Sequence, residues 1–510
     1  MLARTISCGL EGVGGFMVDV EASLTNGMIG FDIVGLPSME VKESRDRIRA
    51  AIVNSGYEWP FHKLTVNLAP ADVRKEGTSL ELAIAISLLA AKEPGAFRGL
   101  DSTVLLGELT LHGELQPIRG VLSMVIDARE RGLRDFLLPA DNAREVECLD
   151  DIRVFPAHTL SEAYEHLTGQ KRIEPQRQIS YESLLEERPI HNDLRLVKGQ
   201  KLARKALEIA AAGGHNLLLV GIPGSGKTML ARCLPGILPP LSYQEALETT
   251  RIHSAAGELS KDARLLTERP FRAPHHSASL PAIIGGGQKA RPGEVSLAHN
   301  GVLFLDELPE YQRPTLEALR QPLEDGEVNI SRIGSQGRFP SRCMLVAAMN
   351  PCPCGNHGSR VKPCRCTPKE ISRYLGRISG PLLDRIDLQV EMDAVTLDEI
   401  ESTEPQEDSR TVQRRVLEAR LRQQRRYGGE TLYCNAQLTQ EGIEKYCPMS
   451  ADARAMLRRA VEQFHISMRA YGRIRKVART VADLNGRDEI SRADMAMAIQ
   501  FRNLDGQYWR

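Results

Sequence analysis

HNLLLV (His215–Val220), then GIPGSGKT (Gly221–Thr228), then MLARCL (Met229–Leu234) is the stretch on which the fold reading turns. The central eight residues fit G-x-x-x-x-G-K-[ST], an apolar strand precedes them, and a helix opens after them. Glycines there let backbone N–H groups face phosphates, and the helix N-terminus adds a favourable dipole. Lys227 is expected to reach the β- and γ-phosphates of ATP, and Thr228 to hold Mg²⁺ through its hydroxyl. Gly221, Pro223, Gly224, Ser225, Gly226 and Met229 complete the expected nucleotide-binding set.

A second motif agrees with the first. GVLFLDE (Gly301–Glu307) is a buried strand from whose end two acids emerge. Asp306 is expected at the Mg²⁺ water shell, and Glu307 as the base for the attacking water. The next strand, Cys343 to Met349, ends in Asn350, which is placed to position that water; the other reading is an Asn turn before Pro351. Arg385, in GPLLDRID, is a candidate finger on a neighbour's γ-phosphate, or else a structural Arg–Asp pair. Arg469 begins a C-terminal helix and is a candidate to reach the nucleotide from a lid, with Arg473, Arg475 and Arg479 competing for that role.

Around these motifs the chain divides by pattern. Its 510 residues suggest about three domains. Residues 1–170 mix short apolar runs with helical stretches, an α/β reading. Residues 171–193, charged and Pro-containing, read as a linker. Residues 194–394 alternate near-continuous apolar strands with helices, as a parallel sheet covered on both faces does. Residues 395–510 are helical and polar. Lys+Arg and Asp+Glu are both 66, and a neutral total does not exclude a basic channel. No apolar run approaches the ~18 residues that span a bilayer, so a cytoplasmic protein without membrane contact is expected. Ten cysteines in such a protein are not a disulfide framework.

In this order the residues resemble an AAA+ ATPase and, more narrowly, its magnesium-chelatase-like branch. FRAPHHSAS (271–279), PGEVSLAHNGVLFLDEL (292–308), AAMNPCPCG (347–355), ISGPLLDRIDL (378–388) and SMRAYGRIRKVARTVADL (467–484) are similar to the bacterial YifB/ComM family. The likeness extends to VGLPSMEVKESRDRIRAAI (34–52) and covers nearly the whole chain. It implies a P-loop parallel sheet with a C-terminal helical lid and a homohexameric ring. It also implies a helicase that migrates DNA branches during natural transformation and recombination, with single-stranded and branched DNA as partners. By the same resemblance Asn350 matches sensor 1, Arg385 the arginine finger and Arg469 sensor 2. A chelatase-type motor that remodels a protein partner is the alternative.

Two segments are candidates for touching DNA. GEVNISRIGSQGRF (326–339) reads as a hairpin, which in the resembled branch points into the ring pore with Arg332 and Arg338 facing phosphates. IIGGGQKARPG (283–293) reads as a loop inserted in a helix, with Lys289 and Arg291. Ordinary surface loops with solvated charge are the other reading. His275 and His276 are read as packing residues in preference to nucleic-acid contacts. Cys352, Cys354, Cys364 and Cys366 form CxC-x9-CxC and offer four thiolates to one Zn²⁺, or are simply reduced cysteines in a polar loop. Finally, KEGTSLE (75–81) and GELQPIRGVL (113–122) resemble the proteolytic domain of Lon proteases, so the N-terminal region is expected to be Lon-like. Ser79 falls at the nucleophile position, but Leu122 stands where Lon has its Lys. A serine nucleophile needs a base, so peptidase activity is not expected.

Overall fold

The computed structural model describes residues 1–186, 191–260, 263–287, 291–332, 335–359, 362–401, 406–429, 432–464, 466–502, 504 and 508. Lys289 and the side chains at 186, 331, 332, 335, 336 and 400 lie outside the described set. The N-terminal region is built on β1 (Leu2–Glu11), β2 (Gly14–Thr25), β3 (Gly30–Val34), β4 (Lys63–Ala69), β5 (Thr103–Leu105), a separate ribbon of β6 (Glu108–Leu109) with β7 (Leu115–Gln116), β8 (Asp135–Pro139) and β9 (Arg153–Ala157). Seven of these form one mixed sheet in the order β3-β4-β2-β1-β5-β8-β9. Strand β2 shows why it lies there. Val18, Val20, Ala22 and Leu24 alternate inward, against the helices Met39–Asn54 and Glu81–Lys92. The second of these helices is apolar all round and is buried from Glu81 to Ala91, as such a helix must be.

The other face of this sheet is shared. Ile6 and Cys8 pack with the helix Val121–Glu130, and the same cluster takes in Tyr181, Leu184, Leu241, Ala246 and Leu247. The described part of the segment read as a linker is anchored in this core. It forms a short helix, Tyr181–Glu186, and Tyr181 Oη donates to the Leu241 carbonyl at 2.9 Å. Its charge and prolines obscured two apolar anchors that wedge between the regions.

The second region supplies β10 (Leu217–Gly221), β11 (Phe271–Arg272), β12 (Gly285–Gly286), β13 (Arg291–Pro292), β14 (Val302–Leu305), β15 (Glu327–Arg332), β16 (Ser335–Pro340), β17 (Met344–Met349) and β18 (Leu388–Met392). Five run parallel in the order β11-β14-β17-β10-β18. Every residue of β10, β14 and β17 is buried, because apolar clusters cover both faces. The hairpin expected over 326–339 is present as β15–β16. The insert expected as a plain loop differs in that β12 and β13 pair antiparallel. Val328, Ile330 and Phe339 of the larger hairpin pack against Val13 of the N-terminal region and Ile284.

From residue 397 the described chain is helical, with the main helices at Ser409–Tyr427, Gln440–Tyr446, Ala451–Phe464, Met468–Leu484 and Arg492–Gln500. They close over one sheet face together with the helix Lys201–Gly213. Among the described residues no helix is long and apolar enough to cross a membrane.

Candidate nucleotide site and cysteine knuckle

Strand β10 ends at Gly221, and the helix Lys227–Arg232 starts six residues later. The turn between them depends on Gly224 and Gly226, at φ +81° and +88°, a conformation L side chains avoid. Nothing stands within 4 Å of where a Cβ would project at either, so the cradle is open. Lys227 Nζ bridges that turn, donating to the Gly221 carbonyl at 2.7 Å, the Ile222 carbonyl at 3.0 Å and Asn350 Oδ1 at 3.2 Å. Burial pushes the Lys227 pKa down, while Asp306 and Glu307 pull it back up. Ser225 Oγ is buried without a hydrogen-bond partner. An orphaned hydroxyl beside a buried ammonium suits a bound polyphosphate.

The adjacent strand ends carry the other groups. Because β17 lies between β14 and β10, Asn350, Asp306 and Lys227 meet at one edge of the sheet. Thr228 Oγ1 donates to Asp306 Oδ2 at 2.7 Å. A hydroxyl and a carboxylate oxygen in direct contact are a fitting pair for a hydrated Mg²⁺. Glu307 donates its N–H to Asp306 Oδ1 at 2.9 Å and sits at φ +52°, in the left-handed region for a non-glycine residue. Such strain collects at functional sites. Met229 is half-exposed on the first turn of the helix.

His276 packs against His275 and Tyr311, as expected of it, and also reaches Glu307. Its Nδ1 lies 3.2 Å from Glu307 Oε2. The FRAPHH phrase was visible in the sequence, but only the return of the chain from β11 brings it to the end of β14.

Arg385 and Arg469 sit elsewhere. They line a cleft of about 550 Å³ with Asn216, Gly301, Met344 and Asp387. Those four residues stand at the starts of the parallel strands, opposite the phosphate loop. At ~3.3 Å per residue, a five-residue strand sets the two edges about 17 Å apart. Arg469 thus does not approach the nucleotide site of its own chain as expected. It is exposed, 3.7 Å from Asp384. Arg385 is ion-paired with Glu324 and donates to the Pro381 carbonyl. Burial and the neighbouring cations Arg320, Arg473 and Arg469 hold its pKa down. Of the competitors of Arg469, Arg475 pairs with Glu444 and Arg479 with Asp483, while Arg473 lines the same cleft, 3.8 Å from Asp387.

Beyond Asn350 the chain makes a knuckle. The Sγ atoms of Cys352, Cys354, Cys364 and Cys366 all lie within 4.8 Å of one another. Three pairs are at 3.4, 3.6 and 3.7 Å, against about 3.8 Å for a tetrahedron of 2.3 Å Zn–S bonds. The N–H groups of His357 and Cys354 donate to Cys352 Sγ and Cys366 Sγ. Burial raises the Cys352 pKa to about 12, while N–H donors, that of Arg365 foremost, lower Cys354 to about 6. The knuckle abuts the phosphate loop. Gly355, at φ +79°, stands so close that a Cβ would be 2.6 Å from the Pro223 ring.

Of the DNA candidates, Arg291 is exposed on β13, and Arg338 is exposed on β16 beside Glu327. Arg332 is placed on β15 by its backbone alone. In the N-terminal region Ser79 is buried, donating to the Cys8 carbonyl at 3.1 Å, and Leu122 is fully buried.

Comparison with known proteins accounts for this combination. Residues 193–400 match the family described as magnesium chelatase, subunit ChlI. Residues 20–142 match subunit ChlI of Mg-chelatase, and residues 406–502 its C-terminal part. The uncharacterized protein YifB of Salmonella typhimurium is 44% identical over 495 residues, 97% of this chain and 96% of YifB. Competence protein ComM of Haemophilus influenzae is 42% identical over 503 residues, 98% of this chain and 97% of ComM. The chain belongs to the YifB/ComM family of magnesium-chelatase-like proteins. A shorter match, 27% identity over 141 residues, links it to the Lon protease of Halothermothrix orenii, covering 26% of this chain and 18% of that protease. Membership in YifB/ComM accords with the AAA+ arrangement of parallel sheet and helical C-terminal region, and it implies use of a nucleotide and Mg²⁺.

Proposed function

We propose that this chain is an ATP-hydrolysing ring motor that moves DNA: a hexameric translocase or helicase acting on single-stranded and branched DNA in the cytosol. The carrying observation is the separation of two half-sites. Lys227, Thr228, Asp306, Glu307 and Asn350 gather at one edge of the sheet. Arg385 and Arg469 gather at the opposite edge, in a cleft that Arg473 and Lys476 also line. One subunit cannot bring these together. A head-to-tail interface repeated around a closed ring does so at every junction. Within each joint site Lys227 holds the phosphates, and Thr228 and Asp306 would hold Mg²⁺, which neutralises charge on the transferring phosphoryl group. The attacking water forms its bond to the γ-phosphorus as the bond to the bridging oxygen breaks, and its proton passes to Glu307. Arg385 of the next subunit, with Arg469, stabilises the charge on the γ-phosphate oxygens.

The DNA half of the reading is supported by exposed Arg291 and Arg338 on the two inserted hairpins and by the competence protein of H. influenzae among the relatives. Contacts through such residues are sequence-independent and salt-sensitive. We extend the proposal to branch migration during natural transformation, a reading supported by the competence protein among the relatives. The test is ATP hydrolysis with and without single-stranded DNA, followed by strand displacement on three- and four-way junctions. Stimulation and displacement are expected. No stimulation, with no DNA binding at low salt, rejects the DNA motor and leaves a chelatase-type motor acting on a protein.

We further propose that Cys352, Cys354, Cys364 and Cys366 hold one structural Zn²⁺. Four converging thiols with N–H donors aimed at sulfur support it. Through Gly355 against Pro223 this knuckle buttresses the phosphate loop.

A further inference from the structure

The hydrolytic base is itself held by a neighbour. Glu307 leaves the end of β14 in a left-handed backbone conformation, fixed by the Asp306 carboxylate on its N–H and by the Glu310 N–H on its carbonyl at 2.8 Å. Its half-exposed carboxylate meets His276 Nδ1 at 3.2 Å through Oε2. A carboxylate only accepts hydrogen bonds, so a hydrogen bond between these atoms requires the proton on Nδ1.

His276 has little freedom to leave. Its ring packs on His275 at a 35° tilt with centroids 4.1 Å apart and meets the Tyr311 ring edge-on at 6.4 Å. Tyr311 is buried, follows Glu307 on the same loop, and donates its hydroxyl to the Pro274 carbonyl at 2.5 Å. His275 Nδ1 pairs with Ser277 Oγ at 2.8 Å. The base of the whole excursion from β11 to β13 is closed by Arg272 on Glu294, at 2.6 and 2.8 Å. The turn bearing His276 is thus tied to the loop bearing Glu307 at both the imidazole and the backbone.

We propose that His276 is the positioning residue of Glu307: it engages Oε2, fixes the carboxylate plane, and leaves Oε1 to accept the proton of the attacking water. This rests on the reading of Glu307 as the base. A base oriented by a third group is the usual logic of an activated nucleophile.

The experiment uses the full-length chain as wild type and as His276→Ala, His276→Asn, Tyr311→Phe and Glu307→Gln, each measured for ATPase kcat and KM and for binding of a fluorescent ATP analogue. Wild-type turnover with none in Glu307→Gln establishes the base, and failure there rejects that reading alone. With the base established, His276→Ala is expected to lower kcat about tenfold to hundredfold with KM and analogue affinity unchanged. His276→Asn, which keeps a donor, recovers part of the loss. Tyr311→Phe, which only frees the Pro274 carbonyl, gives a smaller fall in kcat in the same sense. The inference is overturned by wild-type kcat in His276→Ala. It is equally overturned by parallel loss of analogue binding and kcat in the alanine and asparagine variants, which would mark a merely structural histidine.

Discussion

At the scale of single residues, the site sets a buried ammonium close to carboxylates at the end of β14. Lys227 is the plainest case. Its ammonium is buried on two loop carbonyls and Asn350, and desolvation lowers its pKa. That cost fits the proposed role, in which the ammonium meets phosphate oxygens. Lys227→Ala should abolish nucleotide binding, read by a fluorescent ATP analogue. Glu307→Gln differs in kind. Gln keeps the shape and loses the proton acceptor, so the variant should bind the analogue like wild type and hydrolyse ATP at least a hundredfold more slowly, the scale of general-base catalysis. Turnover near the wild-type rate would remove Glu307 from its role.

At the scale of elements, the knuckle after β17 is the most informative segment. It is a polar turn with two close CxC arms and too little apolar surface to order itself. A metal supplies that order in small motifs. Purified protein is expected to carry about one zinc per chain by elemental analysis, and Cys364→Ser/Cys366→Ser to carry none. Because Gly355 rests on Pro223, loss of the metal should raise KM for ATP severalfold and leave the far-UV spectrum of the chain nearly unchanged. Zinc-free wild-type protein with a normal KM would sever the knuckle from the phosphate loop.

At the scale of the whole molecule, the two edges of one sheet are expected to serve two different sites. Arg385 is the residue to test, since it lines the cleft at the strand starts, one strand length (about 17 Å) from the edge that carries the phosphate loop. Arg385→Ala and Glu307→Gln alone should each be inactive. Mixed in equal amounts, they should regain activity, because some junctions then pair an intact base with an intact finger. No recovery in mixtures shown to co-assemble by size and cross-linking would count against the shared site. The N-terminal region joins this plan through packing: Val13 reaches the hairpin β15–β16, and Tyr181 and Leu184 seat the connector in a common core.

Much of this was legible in the sequence for a simple reason. A phosphate loop needs its glycines, lysine and threonine contiguous, and a buried parallel strand needs an unbroken apolar run, so GIPGSGKT and GVLFLDE announce themselves. The hairpin at 326–339 announced itself likewise by alternation. The partner of Glu307 did not, because 31 positions separate it from His276 and only the strand order β11-β14-β17 makes them neighbours. Nor did the helix of the connector, whose two apolar anchors are too few to mark it, or the position of Arg469, which depends on how the C-terminal helices close over the sheet. By itself the sequence determined which residues are the candidates for nucleotide chemistry, since that chemistry is written in local motifs. Only the tertiary structure decided which of them share an edge of the sheet and which face away, because contacts between distant segments are set by packing and strand order and not by spacing along the chain.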